Sequence, residues 1–215
     1  MESWIAKLFE LPALTKWGHQ QSVEDSNLGL GWIYYGLARV IRPRTVVVIG
    51  SFRGFVPLVL GKALADNRDG GQVVFIDPSM VDDFWKDPQA VHEHFAGLGV
   101  SNVRHHLMTT QQFVQSEAYR SLGPLGMVFV DGYHSKEQAR FDFNAFEALL
   151  SPDGVILLHD TIGCEISKIY GAERAYQRTV KLFVDELKLD KRFQVFDIPF
   201  DQGLALVRKL ASGRE

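Results

Sequence analysis

Three aspartates in this chain each close a short apolar run: Asp77 after "VVFI", Asp131 after "GMVFV" and Asp160 after "VILLH". A carboxylate at the end of a buried strand can accept the hydroxyls of a ribose, share a divalent cation with a neighbour, or work on a proton. Upstream, "VVVIGSFRGFVPL" places Gly50 and Gly54 around a turn between two apolar runs. Glycine there admits positive φ and lets a ligand approach bare backbone, and the helix behind it presents unpaired N–H groups. Asp77 follows Gly50 by 27 residues, a spacing that suits ribose recognition. Asp131 and Asp160 end successive strands about 5 Å apart, close enough to share one cation such as Mg²⁺. The same spacing suits a plain arrangement in which one caps a helix and the other bonds locally. His134, three residues past Asp131, lies where an imidazole could take a proton from a substrate hydroxyl.

The elements that must position these groups alternate. Short β-branched or apolar runs are expected as strands at "TVVVIG", "GGQVVFID", "NVRHHLM", "GMVFVD" and "VILLHD". Between them, helices are expected over "GFVPLVLGKALADN", within 79–97, near 110–120, and over "HSKEQARFDFNAFEALL", where Ser135 and Gln138 form a capping-box pattern. A long helix is expected over 163–188, and "FQVFDIPF" with "GLALVRK" reads as an antiparallel pair. The fold class is therefore α/β: a Rossmann-like, doubly wound, mostly parallel seven-stranded sheet with an antiparallel last strand and helices on both faces. One domain is expected over 1–215, with a helical cap at 1–42 and the core at 43–208. His159 should point away from Asp160 by strand alternation, as a buried structural histidine.

Composition narrows the partners. The chain has 215 residues, 46% hydrophobic and 23% charged, with a net charge of -3. Scattered basic residues and that charge argue against a nucleic-acid partner. The apolar segment "LGWIYYGLARVI" is interrupted by Arg39 and too short to span a bilayer. The single cysteine, Cys164, cannot form an internal disulfide, and with no signal peptide in view a cytoplasmic location is expected. Neither a G-x-S-x-G elbow nor a phosphate-binding P-loop is present. The G-x-x-x-G spacing, with Phe52 in the middle, differs from the G-x-G-x-x-G of dinucleotide-binding oxidoreductases.

Taken together, these motifs resemble the class I S-adenosylmethionine-dependent methyltransferases, and most closely the small-molecule O-methyltransferases of catechol and macrocin type. "GSFRGFV" is similar to the family's glycine-rich first motif, "VVFID" to its acid-ended second strand, and "GMVFVDGYHSKEQARFDFNAFEALLSPDGVILLHDT" to a contiguous family block. The resemblance implies transfer of a methyl group to a hydroxyl oxygen of a small molecule. Gly50, Ser51, Phe52 and Gly54 would pass beneath the methionine part of the cofactor, Asp77 and Pro78 would hold the ribose, and Thr110 and Gln111 would meet the adenine. Asp131 lies against the cofactor and, with Asp160, holds the divalent metal in the metal-dependent branch. Asp131 and His134 would carry the catalysis. The acceptor would dock under 4–17 and 162–176, with Trp17, Tyr170 and Tyr176 as candidate pocket aromatics, and the first helix offers a homodimer contact. Three departures stand out: Val48 and Val56 replace an acid and a hydroxyl of the first motif, and Thr161 stands where a third metal ligand is usual. A protein that binds the cofactor without catalysis and a nicotinamide-dependent oxidoreductase are the rival readings.

Overall fold

A computed structural model describes residues 1–15 and 18–210, so Trp17 lies outside the described residues. Five strands run parallel: β1 (Thr45–Ile49), β2 (Gln72–Ile76), β3 (Val103–His106), β4 (Leu125–Val130) and β5 (Leu150–His159). A two-stranded ribbon, β6 (Ile166–Ser167) and β7 (Tyr176–Gln177), stands apart from the sheet. The chain closes with β8 (Phe193–Ile198) and β9 (Leu204–Lys209), and β9 runs antiparallel between β5 and β8. The sheet order is β3-β2-β1-β4-β5-β9-β8. The order reverses between β1 and β4, which opens a crevice beyond their carboxyl ends.

The period of two along each strand builds two cores. Val46 and Val48 of β1 pack with Phe75, Met127, Phe129 and Leu157 on one face; Val47 and Ile49 pack with Ile76, Val130, Ile156 and Leu158 on the other. The first face is covered by α1 (Glu2–Phe9), α2 (Gly31–Ile41), α3 (Phe55–Asn67) and α4 (Pro88–Gly97). Helix α3 is buried around most of its girth because α2 lies over it, and Asn67 Nδ2 donates to the Ala38 carbonyl at 3.0 Å to fix the pair. Pro57 falls in the first turn of α3, where its missing N–H has no helical partner to lose. Short helices α5 (Thr110–Phe113) and α6 (Glu117–Arg120) lead to β4, and α7 (Lys136–Glu147) with α8 (Val180–Leu187) covers the second face through Phe143, Phe146, Phe183 and Val184. Among the described residues no helix is long and apolar enough to cross a membrane.

The expected strands are all present. Two helical expectations are corrected. The segment 163–188 is helical only from Val180; before it lie the β6–β7 ribbon and a single 3-10 turn at Ala172–Arg174. Gly163, Gly171 and the aromatic Tyr170 and Tyr176 favour turns and extended backbone over one long helix. The sequence pattern over 27–41 reads as one helix ended by Pro43, but that helix begins only at Gly31, because residues 22–27 form an irregular turn closed by a Ser22–Asn27 bridge. "SPDG" acts as a turn inside β5: Leu150 pairs with Leu125 but Val155 with Met127, so Ser151–Gly154 bulge out of register.

The loops above the strand ends are tightly constrained. Gly50 has φ +68°, and a Cβ on it would come within 2.3 Å of the Asp131 carbonyl oxygen, so the turn after β1 and the end of β4 are in contact. Phe52 (φ +42°), Ser79 (φ +58°) and Asp160 (φ +60°) are left-handed although none is glycine. Each of the three loops after β1, β2 and β5 thus stores strain of about 1–3 kcal/mol at one residue, a pattern found where side chains are aimed for function.

Phe143 is buried and stands edge-on to Phe183 and Phe193 at 5.5 and 5.2 Å between ring centres. Phe143→Ala should cost about 3–5 kcal/mol of unfolding free energy, read as a lower urea midpoint with an unchanged slope.

Candidate active site

The carboxyl ends of β1, β2, β4 and β5 open into a cleft of about 1090 Å³. That volume lies just above the usual range for small-molecule sites, about 300–1,000 Å³. Gly50, Ser51, Phe52, Asp77, Pro78, Thr110, Gln111, Asp131, His134 and Asp160 all line it, as does Tyr170, while Gly54 and Tyr176 are set back. Gly54 is the left-handed cap of α3, and the Trp85 ring packs where its Cβ would be. The segments Ala13–Leu14, Gly18–His19 and Glu165–Tyr170 close over the mouth.

At one end Asp77 follows β2. Its Oδ1 accepts the Ser79 N–H at 2.7 Å, which explains the left-handed Ser79. Burial raises its carboxyl to about 6, against the bonds it accepts from the Ser79 and Ser51 backbone. Farther along, Asp142 of α7 is almost fully buried. Its Oδ1 accepts Gln138 Nε2 at 2.8 Å, and Gln138 Oε1 accepts Gln111 Nε2 at 2.8 Å. The acidic end of this chain orients both amides. Burial raises Asp142 to about 6 as well, opposed by bonds from Thr110 and Gln138, and its Oδ2 has no partner.

At the other end two carboxylates meet two imidazoles. Asp131 and His159 lie side by side because the β4–β5 register pairs Phe129 with Leu157 and carries on two residues. His159 Nδ1 is 3.1 Å from Asp131 Oδ1, off the axis of a hydrogen bond, so charge holds this pair; its Nε2 is 2.6 Å from the Gly18 carbonyl. His134 Nε2 lies 3.3 Å from Asp131 Oδ1 and 3.2 Å from Asp160 Oδ2, and its Nδ1 is 3.1 Å from the Tyr176 hydroxyl. A bare Nε2 between two carboxylate oxygens would set lone pairs against each other, so Nε2 carries hydrogen and Nδ1 accepts from Tyr176. Burial by itself would raise the Asp131 carboxyl; the charge of His159 and the hydrogen bond from His134 overcome it and hold Asp131 well below the usual carboxylate range. Burial would likewise lower His159, and the Asp131 charge raises it above the ordinary imidazole value. His19, stacked on Phe55 and 3.1 Å from the Tyr34 hydroxyl, goes the other way: burial and the neighbouring His159 lower it to about 3, so it is neutral.

The sequence reading misplaced two residues here and missed a third. His159 was expected to face away from the site. The left-handed Asp160 breaks the alternation, so His159 and Asp160 both reach the Asp131 end. Tyr176, placed by sequence in a helix, instead comes from the ribbon and holds His134. Arg178, eighteen residues past Asp160 in a segment read as helix, reaches Asp160 Oδ1 at 2.9 Å. No spacing rule marks it.

Asp131, His134 and Asp160 offer three ligand atoms within 4.8 Å of one another, so the carboxylates expected to share a cation do converge. The donors are nevertheless committed. Asp160 Oδ1 is bound by Arg178, Asp131 Oδ1 faces two imidazoles, and Mg²⁺ favours a nearly all-oxygen octahedron. As arranged, this set does not fit a resident divalent ion.

The comparisons with known proteins agree with this geometry. The chain belongs to the family described as "Methyltransferase domain", whose sequence model matches residues 47–161, more than half of its length and the span from β1 to the end of the β5 loop. No curated protein sequence is significantly similar to it. Among solved structures it is similar to the O-methyltransferase TomG of Streptomyces achromogenes, involved in tomaymycin synthesis and solved with SAM (19% identity, 98% of this chain and 88% of that one, TM-score 0.64). It is also similar to the SAH-bound methyltransferase PaMTH1 of Podospora anserina (19%, 98% and 87%, 0.65) and to an O-methyltransferase of Bacillus cereus in complex with SAH (14%, 98% and 92%, 0.68). At these identities the likeness establishes the fold.

The buried Asp142 gives a pH test. Its raised carboxyl means that burial is least costly below the unfolded value near 4, and that stability is lost as pH rises from about 4 through about 6. Asp142→Asn removes that loss. Its melting temperature should exceed the wild type's at neutral pH, and the gain should vanish by about pH 4, as followed by calorimetry across that range.

Proposed function

We propose that the protein transfers the methyl group of S-adenosylmethionine to a hydroxyl oxygen of a small molecule, without a resident metal. The observation that carries this reading is the division of one cleft into an end suited to a nucleoside and an end where carboxylates and imidazoles converge. The donor set fits the cofactor. Asp77 stands at the end of β2 for a ribose diol; Thr110 and Gln111 stand for the adenine; Gly50, Ser51 and Phe52 form the turn behind which α3 begins. When bound, the cofactor supplies a methyl group on a positively charged sulfur. The acidic character of the cleft suits that cation and opposes the two negative charges of a dinucleotide's pyrophosphate, because Arg53 of the glycine turn is already paired with Asp82 at 2.5 Å.

At the far end, Asp131 and His134 work as one unit. The acceptor hydroxyl donates to the ionised Asp131 carboxylate, which takes up its proton; His134 Nε2–H donates to that carboxylate, and Asp160 and Tyr176 hold the ring in place. His159 keeps Asp131 ionised. The fold's remaining contribution is alignment and exclusion of water, which is worth about 7–11 kcal/mol for well-oriented partners. Tyr133, Tyr170 and Tyr176 stack on one another, Tyr133 on Tyr176 at 4.2 Å, so that Tyr133 and Tyr170 line the cleft with Tyr176 behind them.

Calorimetric titration with S-adenosylhomocysteine should give micromolar binding that Asp77→Ala abolishes. Binding should weaken as pH falls through about 6, where Asp77 takes up a proton and loses its second acceptor oxygen. Asp131→Ala and His134→Ala should keep cofactor binding and lower turnover by about 10²–10⁴-fold, the general-base contribution. No binding at neutral pH would refute the proposal; binding with unaltered turnover in both variants would remove the assigned catalytic unit.

A further inference from the structure

Arg178 is held at the cleft by three side chains from three segments. Its Nη1 donates to Asp160 Oδ1 at 2.9 Å, and its Nη2 donates to Glu165 Oε2 at 2.6 Å and to Gln202 Oε1 at 2.9 Å. Only 17% of its side chain is exposed, and its backbone N–H donates to the Glu165 carbonyl at 2.8 Å. The guanidinium therefore joins three segments: the end of β5, the start of the β6–β7 ribbon, and the turn before β9. A guanidinium keeps its charge at every pH the protein meets and forms fixed planar bonds.

Its position is the informative part. Asp160 has two oxygens. Oδ1 is taken by Arg178 and Oδ2 faces His134 Nε2 at 3.2 Å. A divalent ion between Asp131 and Asp160 would have to sit beside a fixed positive charge and take an oxygen already bonded to it. Two cations a few ångströms apart repel strongly at the reduced dielectric of a partly buried site. The carboxylates in turn would be costly to bury without a counter-charge.

We propose that Arg178 is the built-in cation of the acceptor end: it neutralises Asp160, excludes a divalent metal from the Asp131–Asp160 pair, and fastens the ribbon that covers the site. The consequence for catalysis rests on the methyl-transfer reading. The exclusion of metal does not, so the two can fail separately.

The test is titration of the full chain with Mn²⁺, followed by the loss of the free-ion signal in electron paramagnetic resonance. The wild type should bind no Mn²⁺ at micromolar concentrations. Arg178→Met, which keeps an unbranched apolar stem without the charge, should bind Mn²⁺ about tenfold more tightly or better, the scale expected when one charge is removed beside a divalent ion. Adding Asp160→Asn to that variant should abolish the gain, which separates binding at this pair from binding elsewhere. Arg178→Lys should restore exclusion. Circular dichroism checks that each variant is folded, and the wild-type titration decides the central claim even where a variant is not. Micromolar Mn²⁺ binding by the wild type that Asp160→Asn removes would overturn the proposal, as would folded Arg178→Met with unchanged affinity. Because the readout is metal binding, failure of S-adenosylhomocysteine to bind would leave this result standing.

Discussion

The carboxylate of Asp131 is the group the rest of the structure has to accommodate. It ends a strand that is buried along its whole length, beside a glycine turn too close for any side chain. A charge so placed is tolerated only when paired. The pairing comes from two directions: His159 from the adjacent strand, set by register, and His134 from the loop that follows, set by the start of α7. Each partner then needs its own support. His159 leans on the Gly18 carbonyl, which fixes the N-terminal segment over the cleft, and His134 leans on Tyr176, which fixes the ribbon. A single desolvated charge thus ties the cap, the sheet and the insertion together.

Much of this was legible in the sequence, for reasons that differ from element to element. Buried parallel strands announce themselves as unbroken apolar runs, so β1, β4 and β5 and the aspartates that end them could be placed without coordinates. The Ser135 cap was legible because capping needs a particular side chain at a particular offset, and Ser135 Oγ indeed accepts the Gln138 N–H. The failures also have causes. His159 was assigned to the wrong surroundings because alternation was counted from Asp160, whose positive φ breaks it; counting across the sheet from Asp131 gives the right neighbour. The ribbon was read as helix because residues 163–179 contain enough helix-tolerant types to hide two-residue strands, which are set by tertiary packing rather than by local preference. Arg178 and the Asp142–Gln138–Gln111 chain are long-range pairings, and a single sequence carries no period that exposes them.

The two ends of the cleft solve the burial of charge differently. At the nucleoside end Asp77 and Asp142 are met by backbone and amide donors, which carry no full charge, and both carboxyls rise to about 6. At the acceptor end Asp131 meets imidazoles and is driven down, while Asp160 meets a guanidinium. Neutral donors leave a carboxylate with unmet electrostatic demand, which a ligand's hydroxyls can satisfy. Charged partners leave little such demand, so that end is poised to handle a proton rather than to hold a further cation.

The same distinction accounts for the departures from the family's glycine motif. Val48 stands where an acid is usual, and in this chain it is fully buried among the strands beneath the cleft. A carboxylate there would have been a further buried charge two residues along the strands from Asp77 and Asp131. With Arg53 turned to Asp82 and Arg178 to Asp160, neither arginine is free to pair with it. Valine removes the demand, and Asp77 remains the carboxylate at the nucleoside end.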